Sequence, residues 1–167
     1  MKDNNLELFP IVNEEGKVIG KMTRGEAHSG KKFLHPVVHL HVFNSKGELY
    51  LQHRPQWKDI QPDKWDTSCA GHVDYGETDK EALKREAKEE LGIVLKDIPS
   101  FLAKYVFESP VERELVHTYK IIYDGPLFPS KELEGGRFFS PQEIEQQIGK
   151  NFLTPNFEEE YRRFFLR

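Results

Sequence analysis

The chain has 167 residues, of which 37% are hydrophobic and 31% are charged, a composition typical of one globular domain of ordinary size. Its mean hydropathy is −0.67, and no apolar run approaches the roughly 20 residues that a membrane helix requires, so we expect no membrane span. The net charge of −4 gives no basic surface for bulk nucleic-acid binding, which excludes that class of partner.

The sequence carries neither of the two features that mark exported proteins. The first seven residues lack the apolar segment of a secretory signal. The single cysteine, Cys69, excludes an intrachain disulfide and a thiolate zinc site. We therefore expect a cytoplasmic protein in which any metal is held by oxygen or imidazole ligands.

The first predicted elements along the chain are two β-hairpins. Apolar runs at 8–12 and 18–19 flank the link Asn13–Gly16, and a second pair of runs, at 37–43 and 48–53, flanks another four-residue link. Each link begins with asparagine and ends with glycine, which favour turn conformations.

A short strand and a helix are predicted next. The stretch 65–70 predicts a strand that ends at Gly71. Thr78 and Glu81 have the spacing of a capping box, and Gly92 is typical of a helix end. Apolar residues recur between them at helical spacing, at Leu83, Ala87 and Leu91. The pattern predicts a helix over about 79–91.

The remainder of the chain predicts three strands followed by two helices. The strands are expected at 101–107, 115–123 and 137–139. Ser140 followed by proline opens a helix that reaches about residue 148, and Thr154 followed by proline opens another. The last helix has an apolar face for core packing, formed by Phe157, Tyr161, Phe164 and Phe165. Residues 1–167 therefore predict one α+β domain with a mixed sheet between helices.

Three glutamates of the 79–91 helix are crowded on one side. Glu86, Glu89 and Glu90 fall within an arc of roughly 100°. Two carboxylates about 6 Å apart repel by roughly 3 kcal/mol at an intermediate dielectric, and Lys84 and Lys88 lie toward the opposite side. A solvated acidic face is one interpretation. The other is a site for Mg²⁺ or Mn²⁺, which proteins commonly hold with carboxylates and substrate phosphates.

The wider pattern favours the metal site. Gly71, five residues, Glu77 and seven further residues lead to Arg-Glu-Ala-Lys-Glu-Glu-Leu-Gly-Ile at 85–93, and this segment resembles the Nudix box at every defined position. The resemblance implies the Nudix fold, an α/β/α sandwich, and cleavage of a diphosphate linkage by a metal-activated water. It implies that Glu86, Glu89, Glu90 and the carbonyl of Gly71 bind the metal, with Glu89 the favoured general base. Arg85 is expected to pair with Glu77.

A second constellation is similar to the metal site of the isopentenyl-diphosphate isomerase family, which shares the Nudix fold. Its members here are His28, His35, His72, Glu112 and Glu114. The resemblance implies a second divalent metal at these residues, and Mn²⁺ or Zn²⁺ suits an imidazole and carboxylate ligand set. It also implies that Arg54 and Lys58 bind the diphosphate group. Taken singly, a histidine is more often a packed or surface residue than a metal ligand.

The departures from that family disfavour isomerisation. Isomerases need a cysteine directly before the Gly71-His72 pair, where this chain has Ala70. Cys69 is one position early, which places its side chain on the other face of a strand. The isomerases also lack the full Nudix glutamate set, and their C-terminal tryptophan has no counterpart in 151–156.

The sequence thus predicts a metal-dependent hydrolase that acts on a small-molecule diphosphate, such as a nucleoside diphosphate derivative. The alternatives are an isopentenyl-diphosphate isomerase-like enzyme and a catalytically silent nucleotide-binding module. We expect a monomer or a homodimer.

Overall fold

The computed structural model describes residues 6–27, 29–131 and 133–166. The strands are β1 (Leu8–Val12), β2 (Val18–Thr23), β3 (Leu34–Phe43), β4 (Leu49–His53), β5 (Trp65–Asp66), β6 (Cys69–His72), β7 (Ser100–Glu108), β8 (Arg113–Ile122) and β9 (Gly136–Phe139). The helices are α1 (Arg24–Ala27), α2 (Asp79–Leu91), α3 (Pro141–Gln147) and α4 (Pro155–Phe164). The strand and helix order confirms the α+β class.

The main sheet is mixed, as predicted. Its strands run in the order β5-β4-β3-β8-β7, with β6 paired to β3 and β9 paired to β4. The pair β3 and β8 is parallel, from Leu34 opposite Arg113 to Phe43 opposite Ile122, and the other pairs are antiparallel. The first hairpin, β1 and β2, forms a separate two-stranded sheet. The parallel pair places the starts of β3 and β8 side by side.

Two apolar cores lie on the two faces of the sheet. The core beneath α2 contains buried side chains from the sheet and the helix, including Val38, Leu40, Cys69, Leu83 and Ala87. The core beneath α3 and α4 includes Leu49, Leu51, Phe139, Ile144, Phe157 and Tyr161. Because helices cover both faces, the architecture is the predicted α/β/α sandwich.

Helix α2 begins and ends at the predicted residues. The Thr78 side chain accepts a hydrogen bond from the backbone of Glu81, whose own side chain accepts from the backbone of Thr78. Gly92 ends the helix in the left-handed conformation, with φ of 69°. These two ends fix the helix, so its glutamates project from a defined position. Across the described ranges, no helix is long and apolar enough to cross a membrane.

The prediction of one strand over 65–70 ended by Gly71 is wrong. The chain makes two short strands there, because β5 pairs with β4 and β6 pairs with β3. Between them the buried Ser68 hydroxyl donates to the carbonyl of Tyr50 and accepts from the backbone of Val42. Gly71 lies inside β6. As a result β6 occupies much of the edge of β3, and the second hairpin pairs only at Phe43 and Leu49.

Candidate active site

A cleft of about 970 Å³ brings together most of the two sets of residues that the sequence singled out, although Glu77 and His35 are not part of its lining. Its wall includes residues of α2, Ala70 to His72 of β6, and the segments 57–61 and 107–112. The α2 glutamates, Gly71, Arg54 and Lys58 line it, together with His72, Glu112 and Glu114. His28 lies outside the described residues.

The three α2 carboxylates differ in their exposure and hydrogen bonding. Glu89 is 60% exposed, whereas Glu86 is 13% exposed. Glu90 is half-buried and accepts hydrogen bonds from the Ala70 backbone at 3.0 Å and from Gln52 at 3.5 Å. The Ala70 bond uses the edge of β6 that does not face β3, so it joins Glu90 to the sheet.

Burial raises the pKa values of two of these carboxyls. Burial, followed by the charge of Glu90, raises the pKa of Glu86 to about 8. Burial raises the pKa of Glu90 to about 7, with Asp66 adding to the effect. Both values reflect the cost of ionising a carboxyl group that is withdrawn from water beside other negative charge. A divalent cation would remove that cost.

Arg85 neutralises part of the cluster and joins it to the loop after β6. Its guanidinium donates to both oxygens of Glu77, at 2.8 and 2.9 Å, and to the carbonyl of His72 at 3.0 Å. It also contacts Glu86 at 2.7 Å and Glu89 at 3.3 Å. Burial opposes ionisation of Glu77, but Arg85 and the Asp74 backbone lower its pKa overall. Asp74 lies 3.5 Å from the same guanidinium, so one positive charge is shared among four carboxylates, which leaves net negative charge.

Gly71 makes the close approach of β6 and α2 possible. A Cβ atom at this position would overlap the carboxyl carbon of Glu86. The missing side chain therefore leaves room for Glu86 beside the backbone of β6. Carboxylate oxygens next to a backbone strand form a hard oxygen donor set, which fits Mg²⁺ or Mn²⁺.

We expect Gly71→Ala to disable the site without unfolding the protein. The added methyl group collides with the end of the flexible Glu86 side chain, which must move away. Displacing a carboxylate of the expected metal ligand set should lower turnover by roughly 10–100-fold. Gly20→Ala is a matched control, because a Cβ there meets Ile11 at an ordinary 3.5 Å. Steady-state kinetics and thermal melts test the pair, and full activity of Gly71→Ala would contradict the assigned geometry.

A second group of ligand-type side chains lies at the starts of β3 and β8. His35, His72, Glu112 and Glu114 each offer one ligand atom, and these atoms all lie within 4.8 Å of one another. The parallel register sets His35 opposite Glu114, with 3.9 Å between Nε2 and Oε2. The Nδ1–H of His35 donates to the carbonyl of Phe33 at 3.0 Å, so Nε2 is the ring nitrogen directed toward Glu114.

The environment of this group is buried and acidic. Burial, followed by the charge of Glu112, raises the pKa of Glu114 to about 8. The His72 ring is stacked with Phe9 at 4.3 Å and with His35 at 5.3 Å between ring centroids. The rings are thereby held in fixed positions. Imidazole nitrogens and carboxylates in this arrangement fit a transition-metal ion.

The structure places Ala70 in the cleft and Cys69 in the core. Cys69 is 1% exposed and packs with the α2 side of the sheet, whereas Ala70 lines the cleft. Burial also raises the pKa of the Cys69 thiol well above its ordinary value. The thiol of Cys69 therefore does not line the cleft. This agrees with the prediction that a cysteine one position before residue 70 points to the other face of the strand.

Arg54 and Lys58 both line the cleft, but their surroundings differ. The Arg54 guanidinium donates to the carbonyls of Ile60 and Gln61, and its Nη1 lies 3.3 Å from Asp66. It thus holds its own loop in place. The Lys58 ammonium lies 4.9 Å from the centre of the Trp57 ring.

The family follows from a comparison of the whole chain with known domains. The NUDIX domain model matches residues 33–164, which include the α2 glutamates and the group formed by His35, His72, Glu112 and Glu114. The chain belongs to the Nudix family. The resemblance inferred from Gly71 to Ile93 is confirmed.

Relatives of this Nudix protein include proteins named as isopentenyl-diphosphate isomerases and proteins named as uncharacterized Nudix hydrolases. It is 32% identical over 164 residues to isopentenyl-diphosphate Delta-isomerase 1 of Photorhabdus laumondii, covering 93% of both chains. It is 33% identical over 155 residues to an uncharacterized Nudix hydrolase of Listeria monocytogenes, covering 91% of this chain and 90% of that one.

Solved Nudix structures share its fold. The DR0079 protein from Deinococcus radiodurans superposes with a TM-score of 0.76 at 26% identity, covering 95% of this chain and 99% of that one. The MutT protein from Methanosarcina mazei superposes with a TM-score of 0.68 at 25% identity, covering 80% and 94%.

This Nudix protein also contains a buried polar network centred on α4, which was not predicted from the sequence. Glu160 is 1% exposed and accepts hydrogen bonds from His39 at 2.6 Å, His41 at 2.8 Å, Thr118 at 2.6 Å and the hydroxyl of Tyr105. Despite burial, His39 and His41 lower the pKa of Glu160 far below its ordinary value.

One feature of the sequence does indicate that Glu160 is buried: it lies within the apolar stripe of α4. Residues 157, 160, 161 and 164 follow helical i, i+3, i+4, i+7 spacing, so Glu160 belongs to the buried face. Burial by itself lowers the pKa of His39, but Glu160, Glu114 and Asp66 together raise it to about 9. His39 also lines the cleft, which makes it part of the site.

Proposed function

We propose that this Nudix protein is a metal-dependent hydrolase that cleaves a diphosphate linkage, in a nucleoside diphosphate derivative or a related diphosphate. The observation that carries the proposal is the crowding of Glu86 and Glu90 beside Gly71, with both carboxyl pKa values raised. Such an arrangement is costly unless a cation is bound. A site that holds Mg²⁺ with few protein ligands commonly completes the set with substrate phosphates.

Each residue of the site has a role in this proposal. Glu86, Glu89, Glu90 and the Gly71 carbonyl hold the cation. When bound, Mg²⁺ or Mn²⁺ supplies Lewis-acid activation of the phosphate and lowers the pKa of an attacking water. Glu89, the most exposed of the three carboxylates, is the group that accepts the proton from that water.

The remaining residues position the substrate and the loop. Arg85, through its two hydrogen bonds to Glu77, fixes the loop after β6 against α2. Lys58 binds the diphosphate from the cleft wall, and Arg54 shapes the neighbouring loop through Ile60 and Gln61. A second divalent cation would be held by His35, His72, Glu112 and Glu114.

The second candidate function is isomerisation of a prenyl diphosphate. The grouping of His35, His72, Glu112 and Glu114 favours it, as does similarity to proteins named isopentenyl-diphosphate isomerases. The cleft, however, has the methyl group of Ala70 where those enzymes have a cysteine, and Cys69 is buried in the core. Hydrolysis is therefore the function that the geometry supports best.

One experiment separates the two functions. Purified protein with Mg²⁺ or Mn²⁺ is incubated with nucleotide sugars, dinucleotides, nucleoside triphosphates and prenyl diphosphates, and phosphate-bearing products are measured. We expect metal-dependent cleavage of at least one diphosphate. In parallel, isopentenyl diphosphate is incubated in D₂O, and deuterium uptake without cleavage of any panel member would overturn the hydrolase proposal.

A further inference from the structure

The Glu160 network connects the interior of the sandwich to the wall of the cleft. Both oxygens of Glu160 are used: Oε1 accepts from Thr118 and His41, and Oε2 accepts from His39 and Tyr105. Four donors around one buried carboxylate require it to be ionised. The network therefore carries a fixed negative charge directly behind His39.

His39 and His41 occupy different positions in this network, although both lie on the same face of β3. His41 is 0% exposed, packs against Phe157 and Phe165, and is not part of the cleft wall. His39 is 6% exposed and forms part of that wall. His41 therefore belongs to the core, and His39 faces the cleft.

The two nitrogens of His39 have different tasks. Nδ1 lies 2.6 Å from Glu160 and must donate its hydrogen, because a carboxylate can only accept. Nε2 has no hydrogen-bond partner in the part of the chain that the structure describes. On the β6 side, His39 is paired with Ala70, whose side chain is a single methyl group. A ligand oxygen thus has room beside this ring.

The surrounding charges make a hydrogen-bond donor useful at this point. The cleft carries Asp66, Glu112 and Glu114, and the guanidinium groups of Arg54 and Arg85 are engaged by protein oxygens. An anionic substrate entering such a cleft needs positive donors in addition to Lys58. Burial lowers the pKa of His39, but Glu160, Glu114 and Asp66 raise it to about 9, so His39 provides such a donor from the cleft wall as an imidazolium paired with Glu160.

We propose that His39 is a substrate-binding residue that donates its Nε2–H to a phosphate oxygen of the bound diphosphate, and that Glu160 is the positioning residue that fixes its ring. The proposal rests on the proposed function, because the ligand is the diphosphate of that reaction. It assigns to α4, through Glu160, a part in substrate binding.

Three variants test the proposal with methylenediphosphonate, a non-hydrolysable diphosphate, in the presence of Mn²⁺. His39→Asn keeps a donor toward Glu160 but removes the nitrogen that faces the cleft. His39→Gln extends an amide toward the position of Nε2. His41→Gln is the matched control, because it changes the other histidine that donates to the same carboxylate while keeping a donor near Nε2. Thermal melts verify that each variant is folded.

Calorimetry of these proteins has a defined expected result. His39→Asn should weaken binding of methylenediphosphonate at least tenfold, His39→Gln should restore most of the affinity, and His41→Gln should stay within about twofold of wild type. With a substrate from the panel, His39→Asn should raise KM more than it lowers kcat.

Two results would overturn the inference while the proposed function stands: unchanged binding in His39→Asn, or a loss in His41→Gln as large as that in His39→Asn. In the second case the integrity of the network would matter, and the nitrogen facing the cleft would not. If wild type itself fails to bind the probe, the proposed function fails, and the inference fails with it.

Discussion

Glu86→Gln and Glu90→Gln are each expected to lower kcat/KM by roughly 100-fold or more while the protein stays folded. Each change removes one charged ligand from the cluster that the proposed cation needs. The amide of glutamine keeps a similar shape, and at position 90 its oxygen can still accept from the Ala70 backbone. Steady-state kinetics with the best panel substrate, at several Mg²⁺ concentrations, measures the effect.

The metal-free stability of the same variants gives an independent check. Because the pKa values of Glu86 and Glu90 are raised to about 8 and about 7, ionising these groups destabilises the fold as pH rises through those values. The Gln variants should therefore melt at or above the wild-type temperature at pH 8 without metal. Glu159→Gln, at an exposed position of α4, is the control. A loss of activity below tenfold for both variants would contradict the site.

Glu160→Ala is expected to be the most destabilising of the single changes considered. It leaves His39, His41, Thr118 and Tyr105 without their shared acceptor inside the sandwich. Removing one partner of a buried charged pair costs about 3–5 kcal/mol. For a domain of this size, that corresponds to a melting temperature lower by roughly 10 °C. Glu159→Ala should shift it by far less, and equal melting temperatures for both variants would contradict the network.

The contribution of the His39–Glu160 pair should depend on pH in a defined direction. The pKa of Glu160 is lowered, so its stabilisation is present above about 4.5 and is lost in acid. The pKa of His39 is raised from 6.5 to about 9, so its stabilisation is complete below 6.5 and is lost as pH rises through about 9. The difference in melting temperature between wild type and Glu160→Ala should thus be larger at pH 6 than at pH 9.5.

The parts of the fold and site that could be predicted from the sequence are those encoded by local spacing. The capping residues and apolar stripe of 78–92 predicted α2, and the positions of Glu86, Glu89 and Glu90 on it follow from helix geometry alone. Sheet alternation likewise predicted that Cys69 and Ala70 face opposite sides. In both cases every residue that matters lies within a few positions of the others.

The parts that could not be predicted depend on contacts between distant segments. Glu160 meets His39 across 121 positions, and no pattern around either residue specifies the other. The division of 65–72 into two strands depends on which neighbours, β4 or β3, are available for pairing. The hydrogen bonds by which Arg54 holds its own loop could not be predicted either, because the carbonyls of Ile60 and Gln61 become its partners only after the loop has folded.

We propose that the α2 carboxylates hold a divalent cation that binds the diphosphate. Mn²⁺ is titrated into metal-free protein, and the free ion is measured by electron paramagnetic resonance. We expect saturable binding by wild type that methylenediphosphonate strengthens, and at least tenfold weaker binding by Glu86→Gln and Glu90→Gln. Wild-type binding that both variants retain in full, or no binding at all, would contradict it.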